Sequence, residues 1–358
     1  MLTDSSTKKR VFSGVQPTGK LHIGNYLGAI SVWAGQQDLF DNLFCVVDMH
    51  AITLPEAISP ALLKQKTLEV AALYIACGID PQRSTIFIQS HVPEHAVLAW
   101  ILTCVTPLGR LYRMTQYKDK AENSASIGAG LLNYPLLMAA DILLYDTDLV
   151  PVGEDQKQHV EFTRDVARRF NSLYGFSLRI PEPLIRVSGG RIMGLDDPAS
   201  KMSKSIGEKV SGHAIGLLDP PEEVVRAIMG AATDSANEAR FDHASPGVKN
   251  LLVMYEILSG RERRLIEEEF HGRGYVVLKR KLAELVNETL RPIRASYDAI
   301  IADRGYLESL LSQGAERARS LALPMLAAIE NAVGFVPRLQ TIDKNISDQT
   351  LNKELGKE

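Results

Sequence analysis

Three compact apolar runs separated by helical stretches constrain the fold of this chain more than any other feature. Val11-Phe-Ser-Gly14, Leu43-Phe-Cys-Val-Val47 and Thr85-Ile-Phe-Ile88 are each too short for a buried helix. Unbroken apolar runs of this length suit strands covered on both faces, the habit of parallel sheets. Between them the spacing turns helical. Leu21 to Gln37 sets Leu21, Ile23, Tyr26, Leu27, Ile30 and Trp33 at helical intervals, and Leu62 to Cys77 does the same before stopping at Gly78. His95 to Val105 is helical up to Pro107. Leu131 to Leu144 is a long apolar helix, Leu149 to Val152 a short strand, and Asp155 to Phe170 an amphipathic helix.

Strand–helix alternation of this kind calls for helices on both faces of one sheet. The expected fold is α/β: a Rossmann-like parallel-sheet domain followed by an all-helical C-terminal domain, since the pattern is almost purely helical from Glu222 through Glu330. Residues 181–209 are rich in Pro, Gly, Ser and Asp and read as loop. The expected divisions are a flexible N-terminus at 1–10, the sheet domain at 11–212, the helical domain at 213–336 and a polar tail at 337–358.

The formal net charge of -3 excludes a uniformly basic nucleic-acid binder, so any RNA contact must come from local patches and shape. Cys45, Cys77 and Cys104 are widely spaced in apolar runs. They read as buried free thiols in a reducing compartment, not as a zinc or iron–sulfur site. The polar start Met1 to Arg10 lacks an apolar core for secretion, and no uncharged apolar stretch is long enough for a bilayer. The expected location is the cytoplasm, with no membrane contact and no protein-held metal.

Ser13-Gly-Val-Gln-Pro-Thr-Gly19 joins the first strand to the first helix. It would sit where open α/β sheets bind ligands, with Gln16, Pro17 and Thr18 facing a helix N-terminus that favours anions. In Leu21-His-Ile-Gly-Asn25, His22 and Asn25 share a helix face as donors that reach a triphosphate, and Gly24 permits close approach. A capped, solvated helix start explains the same residues. Lys201-Met-Ser-Lys-Ser205 places two lysines three apart in a Gly/Ser-rich loop, a mobile cationic clamp for charge building on a leaving pyrophosphate.

Asp141 interrupts the apolar run Asn133-Tyr-Pro-Leu-Leu-Met-Ala-Ala-Asp-Ile-Leu-Leu-Tyr145. A buried carboxylate is costly unless it is paired or hydrogen-bonded. It shares a face with Tyr134, Met138 and Tyr145, an apolar wall with one acceptor that suits an aromatic ligand carrying one ring N–H. Pairing with a basic residue elsewhere is the alternative. His50, in Asp48-Met-His-Ala-Ile-Thr53, lies at a strand end near this wall, where a structural role in the loop is also open.

Together these segments resemble the class I aminoacyl-tRNA synthetases, and within them the tryptophanyl branch. His22-Ile-Gly-Asn25 is similar to the HIGH signature, with Asn25 at a position that is usually His, a form ordinary in that branch. Lys201 to Ser205 matches KMSKS letter for letter, Asn133 to Tyr145 is nearly the branch's own string, and Gly153-Glu-Asp-Gln156 resembles its GEDQ segment. The resemblance runs from about Val11 to about Phe335. It implies ATP-dependent activation of L-tryptophan and transfer to tRNA(Trp), with Mg²⁺. By the same likeness Asp141 accepts the indole N–H, Phe12 and Met138 pack the ring, and Gln156 lies on the amino-acid side. Gly153, Glu154 and Asp155 line the ribose, and Ile192 offers main-chain groups to adenine. Lys118, Lys201 and Lys204, with Met202, Ser203 and Ser205 around them, serve the phosphates. The likeness further implies a homodimer joined near the helices after residue 95. Anticodon contacts would come from the helical domain, with Arg261, Arg263, Arg264, Lys279, Arg280 and Lys281 as candidates, which a mixed-charge solvated helix face explains equally well.

Overall fold

The structure, a computed structural model, describes residues 8–115, 128–153, 156–185, 191–207 and 210–337. Five parallel strands form one sheet in the order β3-β2-β1-β4-β5: β1 Arg10–Val15, β2 Asp41–Val46, β3 Thr85–Ile88, β4 Leu149–Val152 and β5 Glu182–Ile185. β1 lies at the centre and pairs with β2 along six residues, from Arg10 opposite Asp41 to Val15 opposite Val46. The chain lays β2 and β3 on one side of β1, then crosses back to lay β4 and β5 on the other. Ligands of such sheets bind at that reversal, outside the carboxyl ends of the strands.

The apolar runs divide by strand alternation between two cores. Phe44 and Val46 join Leu27, Ile30 and Trp33 of the first helix and Val70 to Tyr74 of helix α3 (Pro60–Ala76). Leu43 and Cys45 face the other way, toward Leu98 and Leu102 of α4 (Glu94–Val105) and Leu136 and Ala140 of α6 (Ala129–Leu143). Each fully buried Phe or Leu contributes about 1.5–3 kcal/mol relative to exposure. Neither core stops at residue 212. The first continues into Leu251, Leu278, Leu282 and Val286 of the helical half, and the second includes Leu326 and Ile329 of the last helix.

The first helix is one unbroken segment, α1, helical over Ile23–Asn25, π-helical over Tyr26–Ile30 and α-helical again over Ser31–Gly35. The expected loop at 181–209 contains two regular elements instead, β5 and the short helix α8 (Lys204–Gly207). β5 reads Glu-Pro-Leu-Ile. Its proline disguises it, yet β5 is an edge strand, where Pro is tolerated. Cys45 and Cys77 are buried as expected, but Cys104 is exposed. It lies one turn beyond Trp100 on the outer face of α4, and Trp100 is 66% exposed. Residues 1–7 and 338–358, where a flexible start and a tail are expected, lie outside the described residues.

The last two helices, α12 (Gly274–Ala302) and α13 (Arg304–Ala332), return the chain to the sheet. α13 lies against edge strand β3, and Gly314 makes that approach possible. A Cβ at Gly314 would stand 1.8 Å from the Ile86 carbonyl oxygen. Gly314→Ala must therefore push the helix off the strand, and we expect it to cost about 1–3 kcal/mol, read as a lower urea midpoint. An unchanged midpoint would mean that helix and strand edge are not in contact in solution.

Candidate active site

A cavity of about 440 Å³ opens at the sheet reversal. Its walls come from β1 and the turn after it (Phe12, Gly14, Gln16), from the end of β2 and helix α2 (Asp48–Ala51) through Val47 and His50, and from α6 through Tyr134, Met138, Asp141 and Ile142. β4 and the turn into α7 (Lys157–Tyr174) close it with Val150, Pro151, Val152, Gly153 and Gln156. Five residues expected at an amino-acid pocket, Phe12, His50, Met138, Asp141 and Gln156, thus meet on one surface. Ala29 and Trp33 of α1 complete it.

Asp141 is 1% exposed and is not the isolated acceptor that its apolar neighbours suggest. Gln89 Nε2 donates to its Oδ1 at 2.7 Å, and His95 Nδ1 stands 2.7 Å from the same oxygen. His50 Nε2 stands 2.9 Å from Oδ2. Beyond His95, Tyr145 Oη lies 2.7 Å from His95 Nε2. Asp141 and Tyr145 thus flank the two ring nitrogens of His95. Tyr145 therefore lies behind the cavity wall, stacked on Phe12 at 5.8 Å between ring centroids, and does not line the wall. Burial pushes the Asp141 pKa up. The charge of His95 and hydrogen bonds from His50 and His95 outweigh burial and hold the carboxyl well below the usual range. Gln89 and His95 crowd Oδ1 while His50 alone approaches Oδ2, so Oδ2 keeps capacity for a ligand N–H. Burial also raises the Tyr134 hydroxyl to about 12, so Tyr134 stays neutral beside the cavity, 2.8 Å from His159 Nε2.

The His22 segment and the lysine segment lie side by side. Asn25 Oδ1 accepts from the His22 N–H at 3.1 Å and caps α1, the local role that its spacing allowed. A Cβ at Gly24 would meet the His22 ring at 3.0 Å and Ile192 Cβ at 3.4 Å, so Gly24 brings the helix start against Ile192. Met202 N–H donates to the Ile192 carbonyl at 3.1 Å and ties the lysine segment to the same place. Pro17, His22, Ile192 and Met202 are buried, Thr18 and Ser203 half-buried, and Gln16 and Lys201 exposed. Lys204 and Ser205 open helix α8, and the structure places them by backbone alone. Lys118, Glu154 and Asp155 lie outside the described residues.

Gln89 and His95 carry no signal in the sequence, since neither stands in a motif and Gln89 is 52 residues from Asp141. The basic candidates of the helical half largely find partners inside the fold. Arg261 and Lys281 pair with Glu269, Arg263 with Glu256 and Arg264 with Glu268. Lys279 is buried and donates to the Met229 and Ala231 carbonyls at 3.2 and 2.7 Å, capping helix α9 (Pro221–Met229). Its place as an RNA contact is withdrawn. Arg280 is exposed.

Comparison with known proteins gives one answer. Residues 4–291 match the family model described as tRNA synthetases class I (W and Y). The tryptophan–tRNA ligase of Wolinella succinogenes is 54% identical over 330 residues, covering 92% of this chain and 99% of that protein. The crystal structure of tryptophanyl-tRNA synthetase from Mycoplasma pneumoniae superposes with a TM-score of 0.83 at 37% identity, covering 92% of this chain and 98% of that one. That of the Campylobacter jejuni enzyme complexed with ADP and tryptophan superposes at 0.79 and 35% identity, covering 91% and 100%.

The depressed pKa of Asp141 makes the site's stability depend on pH in one direction. A carboxyl lowered in the folded state stabilises above its unfolded value, about 3.9, and that contribution is lost as pH falls through the folded value. Asp141→Asn should cost about 3–5 kcal/mol near neutrality, with the gap to the parent narrowing as pH drops below about 4. Urea unfolding of both proteins at neutral and acid pH measures this. An equal gap at both would mean that Asp141 is not ionised in the fold.

Proposed function

The chain belongs to the class I tRNA synthetases of the W and Y group, and from that premise we propose how its residues divide the reaction. It is a tryptophan–tRNA ligase, an aminoacyl-tRNA synthetase that activates L-tryptophan with ATP and transfers it to tRNA(Trp). The observation that carries the site assignment is the cavity that gathers Asp141, its lone carboxylate, with Phe12, His50, Met138 and Gln156 on one lining. The indole N–H donates to Asp141 Oδ2 while Phe12 and Met138 pack against the ring. Gln156 and His50 border the amino-acid end. An analogue without the ring N–H leaves a buried carboxylate short of a donor, a defect that such sites reject by about 10⁴ or more.

ATP lies across Gln16, Pro17, Thr18, His22, Gly24 and Asn25, with Ile192 against adenine and Gly153, Glu154 and Asp155 toward the ribose. The tryptophan carboxylate, ionised at neutral pH, attacks the α-phosphorus. The P–O bond to pyrophosphate breaks, and tryptophanyl-adenylate remains. No general base is needed. Lys201 and Lys204, with Lys118, Met202, Ser203 and Ser205 in support, neutralise the leaving pyrophosphate, and closure of their loop gates the step. The 2′-hydroxyl of the terminal adenosine of tRNA then attacks the acyl carbon and releases AMP. Mg²⁺ bound to the triphosphate would supply charge screening to the leaving pyrophosphate. Among the described residues no three His, Cys, Asp or Glu side chains converge as a metal site, so no protein cage is assigned and no step runs through the ion.

We assign residues 11–212 to catalysis and 213–336 to tRNA recognition, with the exposed Arg261, Arg263, Arg264 and Arg280 as candidate contacts. The chain acts in the cytoplasm, where its substrates meet; no described helix is long and apolar enough to cross a membrane. It acts as a homodimer joined at the outer face of α4 and the helix after it, α5 (Leu108–Leu111). Trp100, Leu108 and Tyr112 are 66%, 54% and 47% exposed there, more apolar surface than a lone subunit favours.

ATP–pyrophosphate exchange with each of the twenty amino acids tests the reading. Tryptophan alone should support exchange, Asp141→Ala should abolish it, and Lys201→Ala should lower kcat by about 10²–10³-fold while tryptophan still binds. Exchange driven by tyrosine would overturn the pocket assignment. The interface is tested by Trp100→Glu, which we expect to halve the mass measured by light scattering at micromolar protein. A variant of undiminished mass would place the interface elsewhere.

A further inference from the structure

The root of the lysine segment is held from two sides by residues that belong to neither signature. On one side is His213, fully buried. Its Nδ1 stands 2.6 Å from Asp196 Oδ1 and its Nε2 3.3 Å from the Lys201 carbonyl oxygen. The imidazole fills the space that a side chain on Gly194 would need, since a Cβ there would lie 2.3 Å from His213 Cε1. The His213 carbonyl also accepts from the Leu195 N–H at 3.1 Å. On the other side is Asn250 of α10 (Pro246–Ser259). Its Oδ1 accepts from the Met193 N–H and its Nδ2 donates to the Met193 carbonyl, both at 2.9 Å.

Between these two supports the segment closes on itself. Gly194 N–H donates to the Ser200 carbonyl at 2.8 Å, Met202 N–H donates to the Ile192 carbonyl at 3.1 Å, and Met193 and Lys201 form an antiparallel bridge. The strip after His213 reaches the other signature. Ile23 N–H donates to the Ile215 carbonyl at 2.8 Å, and Leu217 N–H donates to the Leu21 carbonyl at 2.9 Å. One short stretch, 213–217, therefore touches the lysine segment at one end and the His22 segment at the other.

We propose that His213 and Asn250 are positioning residues for adenylate formation. They fix the main chain of Ile192–Gly194 and of Lys201, so that the first lysine starts from a set place relative to His22 whatever the rest of its loop does. His213 acts through the Lys201 carbonyl and Asn250 through Met193. Neither touches substrate. The proposal rests on the reading that Lys201 serves the phosphates. Rate is sensitive to such placement, because about 1 Å of displacement in a reacting array costs roughly 10²-fold.

The test compares His213→Ala, His213→Gln and Asn250→Leu with Lys201→Ala in pyrophosphate exchange, alongside tryptophan binding at equilibrium and thermal melting. A glutamine amide can stand where Nε2 does and keep the contact to Lys201. We expect His213→Ala and Asn250→Leu to lower kcat by about 10–100-fold, with the tryptophan dissociation constant unchanged within a factor of two and His213→Gln recovering much of the loss. Asn250→Leu reads out the opposite side of the loop if His213→Ala does not fold. A variant that folds and keeps full kcat, or one that loses tryptophan affinity in proportion to kcat, overturns the proposal while Lys201→Ala remains defective. If Lys201→Ala itself keeps full exchange, the phosphate reading has failed and the proposal falls with it.

Discussion

The carboxylate of Asp141 organises the catalytic half. An ionised group at 1% exposure is tolerable only when donors surround it, and here they come from three separate places. His50 follows β2, Gln89 follows β3 and His95 lies on the first turn of α4. Each must reach one oxygen or the other on α6. Satisfying the charge therefore fixes the ends of two strands and two helices against one another at the place where the cavity opens. In the role proposed for Asp141 the same contacts would set the cavity's selectivity, because His50 alone approaches Oδ2. Stability and recognition draw on the same hydrogen bonds, so a substitution that relaxes the pocket must also loosen the sheet ends around it.

Sequence periodicity revealed what is local. The strands at Val11, Leu43, Thr85 and Leu149 and the helices between them follow from apolar spacing, which reports each element's burial directly. β5 escaped because Pro183 breaks the pattern in an edge strand. Cys104 was misplaced because an apolar neighbourhood in sequence does not say which helix face turns inward. Long-range pairing was not legible at all. Asp141 stood out as an anomaly, but nothing in the spacing named Gln89 or His95 as its partners. The basic side chains of the helical half read equally as RNA contacts or as a mixed-charge solvated face, and folding brings Glu256, Glu268 and Glu269 to four of them. Lys279 is the sharpest case: a lysine on an amphipathic helix reads as solvated, yet it caps the end of α9.

The two halves are distinct in secondary structure and continuous in packing. The apolar core below α1 and α3 runs without interruption into α10 and α12, and α13 covers the open edge of β3. An edge strand covered by a helix cannot template another chain. The covering helix also makes the sheet's integrity depend on the far end of the sequence. Packed interiors shift as discrete arrangements more readily than they deform, so elements sharing one core move together. Whatever the helical half contacts is thereby connected to the strands that carry the site.

That continuity bears on how the lysine segment works. A clamp for a leaving group must be mobile enough to admit nucleotide and rigid enough to place charge where it develops. The chain separates these demands along a few residues. Met193 and the main chain of Lys201 are tied to Asn250 and His213, both buried in packed structure. The Ile23 N–H donates to Ile215 and the Leu217 N–H to Leu21, which ties the His22 segment to the same anchor. Both walls of the proposed nucleotide site thus hang from one strip, 213–217. Charge stabilisation falls steeply when a donor wanders, and a shared root limits that wandering without immobilising the loop.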